Sequence, residues 1–176
     1  LLNAATELFQ AEGASLAFLD SASDELEFFA MSGAGKTRPF RVPKGRGIAG
    51  QVLASGEPIR TNDAKNNKYF FNSVDQKTKF ETGSLLCCPV SHNHEVIGTI
   101  QVLNTDLPGG FNKEDQRLLA VLANFAGSAM SRAHSEQEIH NSEQILREAS
   151  EGRYRLVPSS NSSMRSQLEI LQAAAS

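Results

Sequence analysis

Two neighbouring segments, Ser84–His92 (SLLCCPVSH) and Glu95–Asn104 (EVIGTIQVLN), restrict the fold of this chain most. A strand sends successive side chains to opposite faces, so a strand apolar in both phases needs cover on both sides of its sheet. The turn Asn93-His94 joins the two into an antiparallel hairpin. Upstream, Ser15–Asp20 and Leu26–Met31 read as a second hairpin, with short strands at Pro39–Val42 and Pro58–Thr61. Leu1, Leu2, Ala5, Leu8 and Phe9 recur at helical spacing and predict an amphipathic helix ending near Gly13. Gly47–Ser55 is a helix stopped by Gly56, and Tyr69–Phe80 reads as one or two short helices. Hairpin-linked strands interleaved with helices predict an α+β fold, an antiparallel sheet with helices on its faces.

The longest helical stretch runs from Asn112 to about Ser150, without proline and with one glycine, Gly127. Leu118, Leu122, Phe125, Ala129, Arg132, Glu136, Ile139, Glu143 and Leu146 follow steps of four and three, the period of a coiled-coil seam. This predicts a helix that packs on its domain early and continues as an exposed two-helix coil. Pro158–Ser163 then reads as a polar loop and Met164–Ala175 as a final short helix.

A chain of 176 residues accommodates one domain plus an appendage. A net charge of -3 gives no overall electrostatic footprint for nucleic acid. Cys87 and Cys88 are the only cysteines; as strand neighbours they point apart, which argues against a disulfide and suits a reducing compartment. No apolar run approaches the roughly 20 residues of a membrane span, and the opening Leu1–Ala5 lacks a basic leader, so a cytoplasmic fragment without a signal peptide is expected.

Three groups of residues are candidates for chemistry. On a helix, Asp75, Thr78 and Thr82 share one face. Such a face could meet a heteroaromatic ring or a ribose, or it could be a solvated face capped by Asp75. Gln101 is a lone polar residue among Ile97–Leu103, and if buried it needs a partner, from a ligand or from a neighbouring loop. Ser15, in phase with Ala17 and Leu19, poses the same question. Gly45-Arg46-Gly47-Ile48-Ala49-Gly50 satisfies GxGxxG, but it follows a very short strand and lacks the acidic residue about twenty positions on that a dinucleotide fold requires. A glycine-rich turn opening a helix can still offer free N–H groups to an anion. Lys36, Arg38, Arg41, Lys44 and Arg46 cluster around it, in either a ligand-facing or a merely solvated role. No HxxxH, CxxC, Gly-x-Ser-x-Gly or Walker pattern occurs, so neither a metal nor catalysis is expected.

Residues 1 to about 133 resemble the GAF family, and within it the cyclic-nucleotide-binding domains of phosphodiesterases and adenylyl cyclases. The resemblance is carried by Gly47–Val52, Val74–Thr82, Ser84–Val90, Glu95–Gly98 through Leu103-Asn104, and Phe111–Asp115. It implies an antiparallel sheet of about six strands, with helices packed on one face, a ligand pocket on the other and a long C-terminal signalling helix. It also implies nucleotide contacts at Ser15, Ile48, Asp75, Thr78, Thr82 and Gln101, with base stacking around Met31 and Ser32. The subgroup signature Asn-Lys…Phe-x-x-x-Asp-Glu reads here Asn104-Thr105…Phe111-x-x-x-Asp115-Gln116, so the Lys that pairs with the Asp in that subgroup is replaced.

Arg153–Val157, Ser159–Met164 and Leu168–Leu171 resemble the opening of the AAA+ domain of sigma-54-dependent activators. Together the resemblances imply a sensor domain over 1–133, a coiled-coil-like linker over 134–152 and the start of an ATPase domain over 153–176. They imply a cyclic nucleotide ligand with no other cofactor, a homodimer through the long helix, and contact with sigma-54 RNA polymerase and DNA only through further domains. The alternatives are a sensor of another small metabolite, or a dimerisation scaffold with Phe70, Phe71 and Met31 filling the pocket.

Overall fold

A computed structural model of the chain describes residues 1–33, 40–71 and 80–150, with side chains to residue 132. It divides into two compact units, Leu1–Ala133 and His134–Ser176. The first opens with helix α1 (Leu2–Leu8), followed by strands β1 (Ala11–Asp20), β2 (Glu25–Ser32) and β3 (Arg41–Pro43). Helix α2 (Gly47–Ser55) and strand β4 (Ile59–Thr61) come next. The hairpin β5 (Leu85–His92) and β6 (Glu95–Thr105) leads into helix α3 (Lys113–Ser150). The expected short helices over Tyr69–Phe80 fall mostly outside the described residues, and their described ends are not helical. The loop and helix expected beyond Pro158, the tail on which the ATPase resemblance rests, also lie outside the described residues.

The six strands form one antiparallel sheet in the order β3-β2-β1-β6-β5-β4. The apolar hairpin thus lies inside the sheet, where both of its faces can be covered. Asn93 and His94 both take left-handed backbone angles, φ 49° and 68°, as a two-residue hairpin turn requires. Helix α2 ends as its sequence indicated, with Gly56 at φ 71° returning its N–H to the Val52 carbonyl at 2.9 Å.

Gly13 does not end the first helix. That helix stops at Leu8, Gln10 turns the chain at φ 44°, and Gly13 lies within β1. A Cβ there would stand 3.1 Å from the Ser32 carbonyl oxygen and 3.4 Å from the Phe80 ring. The glycine is used because other parts of the chain crowd it, which local sequence does not display.

Each face of the sheet carries its own core. On one, Leu86, Cys88, Val90, Ile100 and Val102 pack with Ala5 and Phe9 of α1 and with Phe111, Leu119, Ala123 and Ala126 at and within α3. On the other, Ala17, Leu26, Phe28, Leu85, Cys87 and Leu103 pack with Ile48, Ala49, Val52 and Leu53 of α2.

The face of α3 that meets the sheet coincides only in part with the stripe expected to do so: half-buried Leu122 packs against the core, but Leu118 and Phe125 do not. Leu119, Ala123 and Ala126 are buried, whereas Leu118, Val121 and Phe125 are 47%, 52% and 65% exposed. Small residues line the buried face because the helix approaches closely: a Cβ on Gly127 would stand 2.3 Å from the Ser91 carbonyl oxygen. One turn later Ser131 Oγ and His92 Nε2 share a hydrogen bond of 2.8 Å. The seam residues from Glu136 onward lie beyond the described side chains. No described helix is long and apolar enough to cross a membrane.

Cys87 and Cys88 are both free and fully buried, on opposite faces of the sheet. Burial pushes the Cys88 thiol up to about 12 and the Cys87 thiol well above its ordinary range. Native protein at pH 8 should therefore resist thiol-specific reagents, with both groups reacting once urea unfolds the chain. An unfolded thiol ionises near its ordinary pKa of about 8.5 while the folded one stays protonated. Their contribution to stability is therefore full below that pH and falls as pH rises toward 12. Urea midpoints measured between pH 7 and 11 check the direction.

Candidate functional site

The α2 face of the sheet holds a cavity of about 60 Å³. At about 10–15 Å³ per water centre, that is room for several waters. Its floor is the middle of the sheet, with Leu85, Gln101 and Leu103 from β5 and β6, and Thr82 beside them. One wall is the start of α2, Gly47, Ile48 and Ala49. Met31, Ser32, Phe28, Phe40 and Val42 line the side toward β2 and β3, and Phe70, Phe71 and Phe80 complete the lining. Phe28 and Phe40 stack, with ring centroids 4.3 Å apart and planes at 16°.

Gln101, polar and buried within β6, finds its partner on the adjacent strand. Ser15 and Gln101 are opposite each other in the β1–β6 pairing, and Gln101 Nε2 donates to Ser15 Oγ at 2.8 Å. Both are buried, and no buried side-chain N or O among the described residues lacks a partner. A pre-ordered polar spot on an apolar floor can orient a ring that carries its own donors and acceptors. Of the residues singled out in the sequence, the structure brings Met31, Ser32, Ile48, Thr82 and Gln101 to the cavity lining, with Ser15 bonded to Gln101. The Ser32 hydroxyl also donates to Asn3 Oδ1 at 3.0 Å. Asp75 and Thr78 lie outside the described residues. The aromatic wall was missed in part: Phe28 follows the inward alternation of β2, but nothing local marks Phe40.

Asn104 holds this floor to its surroundings. Its Oδ1 accepts from the Gly83 and Ser84 N–H groups at 2.7 and 3.2 Å. Its Nδ2 donates to the Glu81 carbonyl at 2.7 Å and to Glu12 Oε2 at 2.6 Å. Thr82 is thereby fixed by bonds on either side of it.

The signature residues downstream have local roles. Thr105 Oγ1 donates to the Phe9 carbonyl at 2.7 Å and accepts from the Leu107 N–H at 3.1 Å, tying the end of β6 to the chain after α1. Asp115 is buried, and its Oδ2 accepts from the Asn112 N–H at 2.8 Å. Asn112 Oδ1 in turn accepts from the Glu114 and Asp115 N–H groups at 2.7 and 3.2 Å. This reciprocal cap opens α3 and gives Asp115 a partner with Thr at position 105.

The GxGxxG turn is not a dinucleotide site. β3 pairs antiparallel with β2 at the sheet edge, so no parallel βαβ crossover exists there. The turn closes on itself instead, Gly45 donating to the Gly50 carbonyl at 2.9 Å. Among the described residues no group of three or more His, Cys, Asp or Glu side chains could hold a metal ion.

The family described as GAF domain matches residues 1–131. The chain is 29% identical over 163 residues to the probable 3',5'-cyclic phosphodiesterase pde-5 of Caenorhabditis elegans, covering 86% of this chain and 22% of that protein. It is 34% identical over 112 residues to the dual 3',5'-cyclic-AMP and -GMP phosphodiesterase 11A of Takifugu rubripes, covering 60% of this chain and 12% of that protein. Among solved structures, the GAF domain of a phosphoenolpyruvate-protein phosphotransferase from Coxiella burnetii superposes with a TM-score of 0.68 at 21% identity, covering 78% of this chain and 82% of that one. Thus the chain spans under a quarter of the length of the curated relatives. The family match, the six-stranded antiparallel sheet and the cavity on its α2 face agree: this chain belongs to the GAF domain family, a family of regulatory small-molecule-sensing domains.

Proposed function

We propose that the domain senses a cyclic nucleotide, cAMP or cGMP, and is the N-terminal sensory module of a sigma-54-dependent activator. The carrying observation is the cavity: aromatic walls over a floor whose polar groups, Gln101 with Ser15 and Thr82, are arranged in advance. In this reading the base lies between the phenylalanines and the floor, near Met31 and Ser32. The phosphate faces the Ile48 N–H at the start of α2, and Asp75 and Thr78 complete the contacts. The likeness to cyclic-nucleotide phosphodiesterases supports this choice of ligand.

A ligand changes output only through a difference in affinity between two states. The two-state element proposed is the α3 helix paired with its copy in a homodimer. The exposed stripe Leu118, Val121 and Phe125 supports that pairing. RNA polymerase and DNA contacts belong to domains outside this chain, and cytoplasmic action is part of the proposal.

Titration calorimetry of the whole chain with cAMP and cGMP tests the ligand. A saturable heat with either is expected; none at millimolar ligand in folded protein defeats the nucleotide reading. The small cavity volume favours a second reading, a smaller metabolite, which native mass spectrometry of freshly purified protein would reveal as an adduct of different mass. Met31, Phe70 and Phe71 stand around the cavity rather than filling it, which favours a ligand-taking domain over a pure scaffold.

A further inference from the structure

The five basic residues around the glycine-rich turn have separate fates. Arg41 is engaged by Asp20 at 3.0 Å and Glu27 at 2.9 Å, and Lys44 by Asp24 at 3.7 Å. Lys36 and Arg38 lie outside the described residues. Arg46 differs: its guanidinium carbon sits 4.9 Å from the centre of the Phe71 ring, and among the described residues no carboxylate pairs with it. It also lines the cavity, where it is the one charged side chain among the described lining residues.

A guanidinium stacked on a ring turns its face to the π system and leaves its in-plane N–H groups free. That edge matches a carboxylate or phosphate in two-point geometry. Phe71 holds the group at the cavity without neutralising it, as a carboxylate would. The rest of the lining is aromatic and aliphatic apart from the Gln101, Thr82 and Ser32 side chains.

We infer that Arg46 is the specificity residue of this cavity, reading the negative charge of a ligand whose flat apolar body lies among the phenylalanines. The inference rests on the sensing reading in one respect, that the cavity takes a ligand; it does not depend on that ligand being a nucleotide. Because Arg46 is exposed to water, its contribution is moderate and screened by salt.

The experiment compares matched charged and uncharged probes on the whole chain. cAMP is set against adenosine, cGMP against guanosine and benzoate against benzamide, each titrated into wild type, Arg46→Ala and Arg46→Lys at low and high salt. Wild type is expected to prefer the charged member of at least one pair by about tenfold, a ratio typical of one charge-assisted contact. Arg46→Ala should erase the preference and leave affinity for the uncharged member unchanged, Arg46→Lys should keep part of it, and added salt should reduce it. If wild type treats both members of every pair alike, or Arg46→Ala weakens both equally, Arg46 is only packing against Phe71 and the inference is wrong. If benzoate alone shows the Arg46-dependent preference, the nucleotide reading fails and the inference stands. If a nucleotide binds with its preference intact in Arg46→Ala, the reverse holds. No binding of any probe defeats both.

Discussion

Replacing Phe111 by alanine should lower the free energy of unfolding by about 3–5 kcal/mol, the range for emptying a buried phenylalanine site. The ring is 1% exposed and packs where the sheet, α1 and α3 meet. Its surroundings resist collapse, because the Phe111 backbone is fixed as well. Its N–H donates to Asn62 Oδ1 at 2.9 Å, and its carbonyl accepts from Arg60 Nη1 at 2.8 Å and Asn62 Nδ2 at 3.1 Å. Urea titration gives the loss as a lower midpoint at nearly unchanged slope. Phe125→Ala, within α3, is the control: with the ring 65% exposed, the same deletion should cost about 0.5 kcal/mol or less. Equal losses at the two positions would mean that the burial of Phe111 ahead of α3 and the exposure of Phe125 on it have been assigned wrongly.

Asn104→Ala should cost about 3 kcal/mol or more, and it should disturb the cavity floor as well. Four hydrogen bonds end on this side chain, each with a net value of about 0.5–1.5 kcal/mol. The backbone at Asn104 is left-handed, φ 54°, where alanine is strained by roughly 1–2 kcal/mol more than asparagine or glycine. Asn104→Gly separates the two contributions, since it keeps the backbone freedom and loses only the bonds. It should therefore recover about 1 kcal/mol of the alanine loss. Hydrogen exchange offers a second measurement. The Gly83 and Ser84 amides, which donate to Asn104, should lose protection in both variants while the β1–β6 ladder keeps its own.

Sequence revealed what depends on adjacent residues. The β5–β6 hairpin, its two-residue turn and the glycine stop of α2 come from local chemistry, and all three are found where that chemistry puts them. Gln101 and Ser15 were each conspicuous as polar residues in apolar strands. That they satisfy one another is a property of strand order, across 86 positions of sequence, and no local pattern contains it. Gly13 misled because glycine punctuates helices and also admits close contacts, and only the approach of Ser32 and Phe80 decides between the two. The buried face of α3 was hidden for a related reason. Its alanines and glycine are weak hydrophobic signals beside the bulkier stripe of Leu118, Leu122 and Phe125, of which Leu122 packs on the core while the other two face outward. Among the basic residues of the turn, sequence could not tell which would be neutralised and which would reach the cavity.

The contact at Gly127 has a mechanical consequence. Where two elements meet through long side chains, rotamer changes absorb small displacements before they travel further. Here helix backbone rests directly on the Ser91 carbonyl, beside the irregular step in the β5–β6 pairing, with the His92–Ser131 bond just beyond. No flexible cushion separates the tip of the hairpin from the helix, so a change of twist in β5 and β6 passes into α3 as a rigid tilt or rotation.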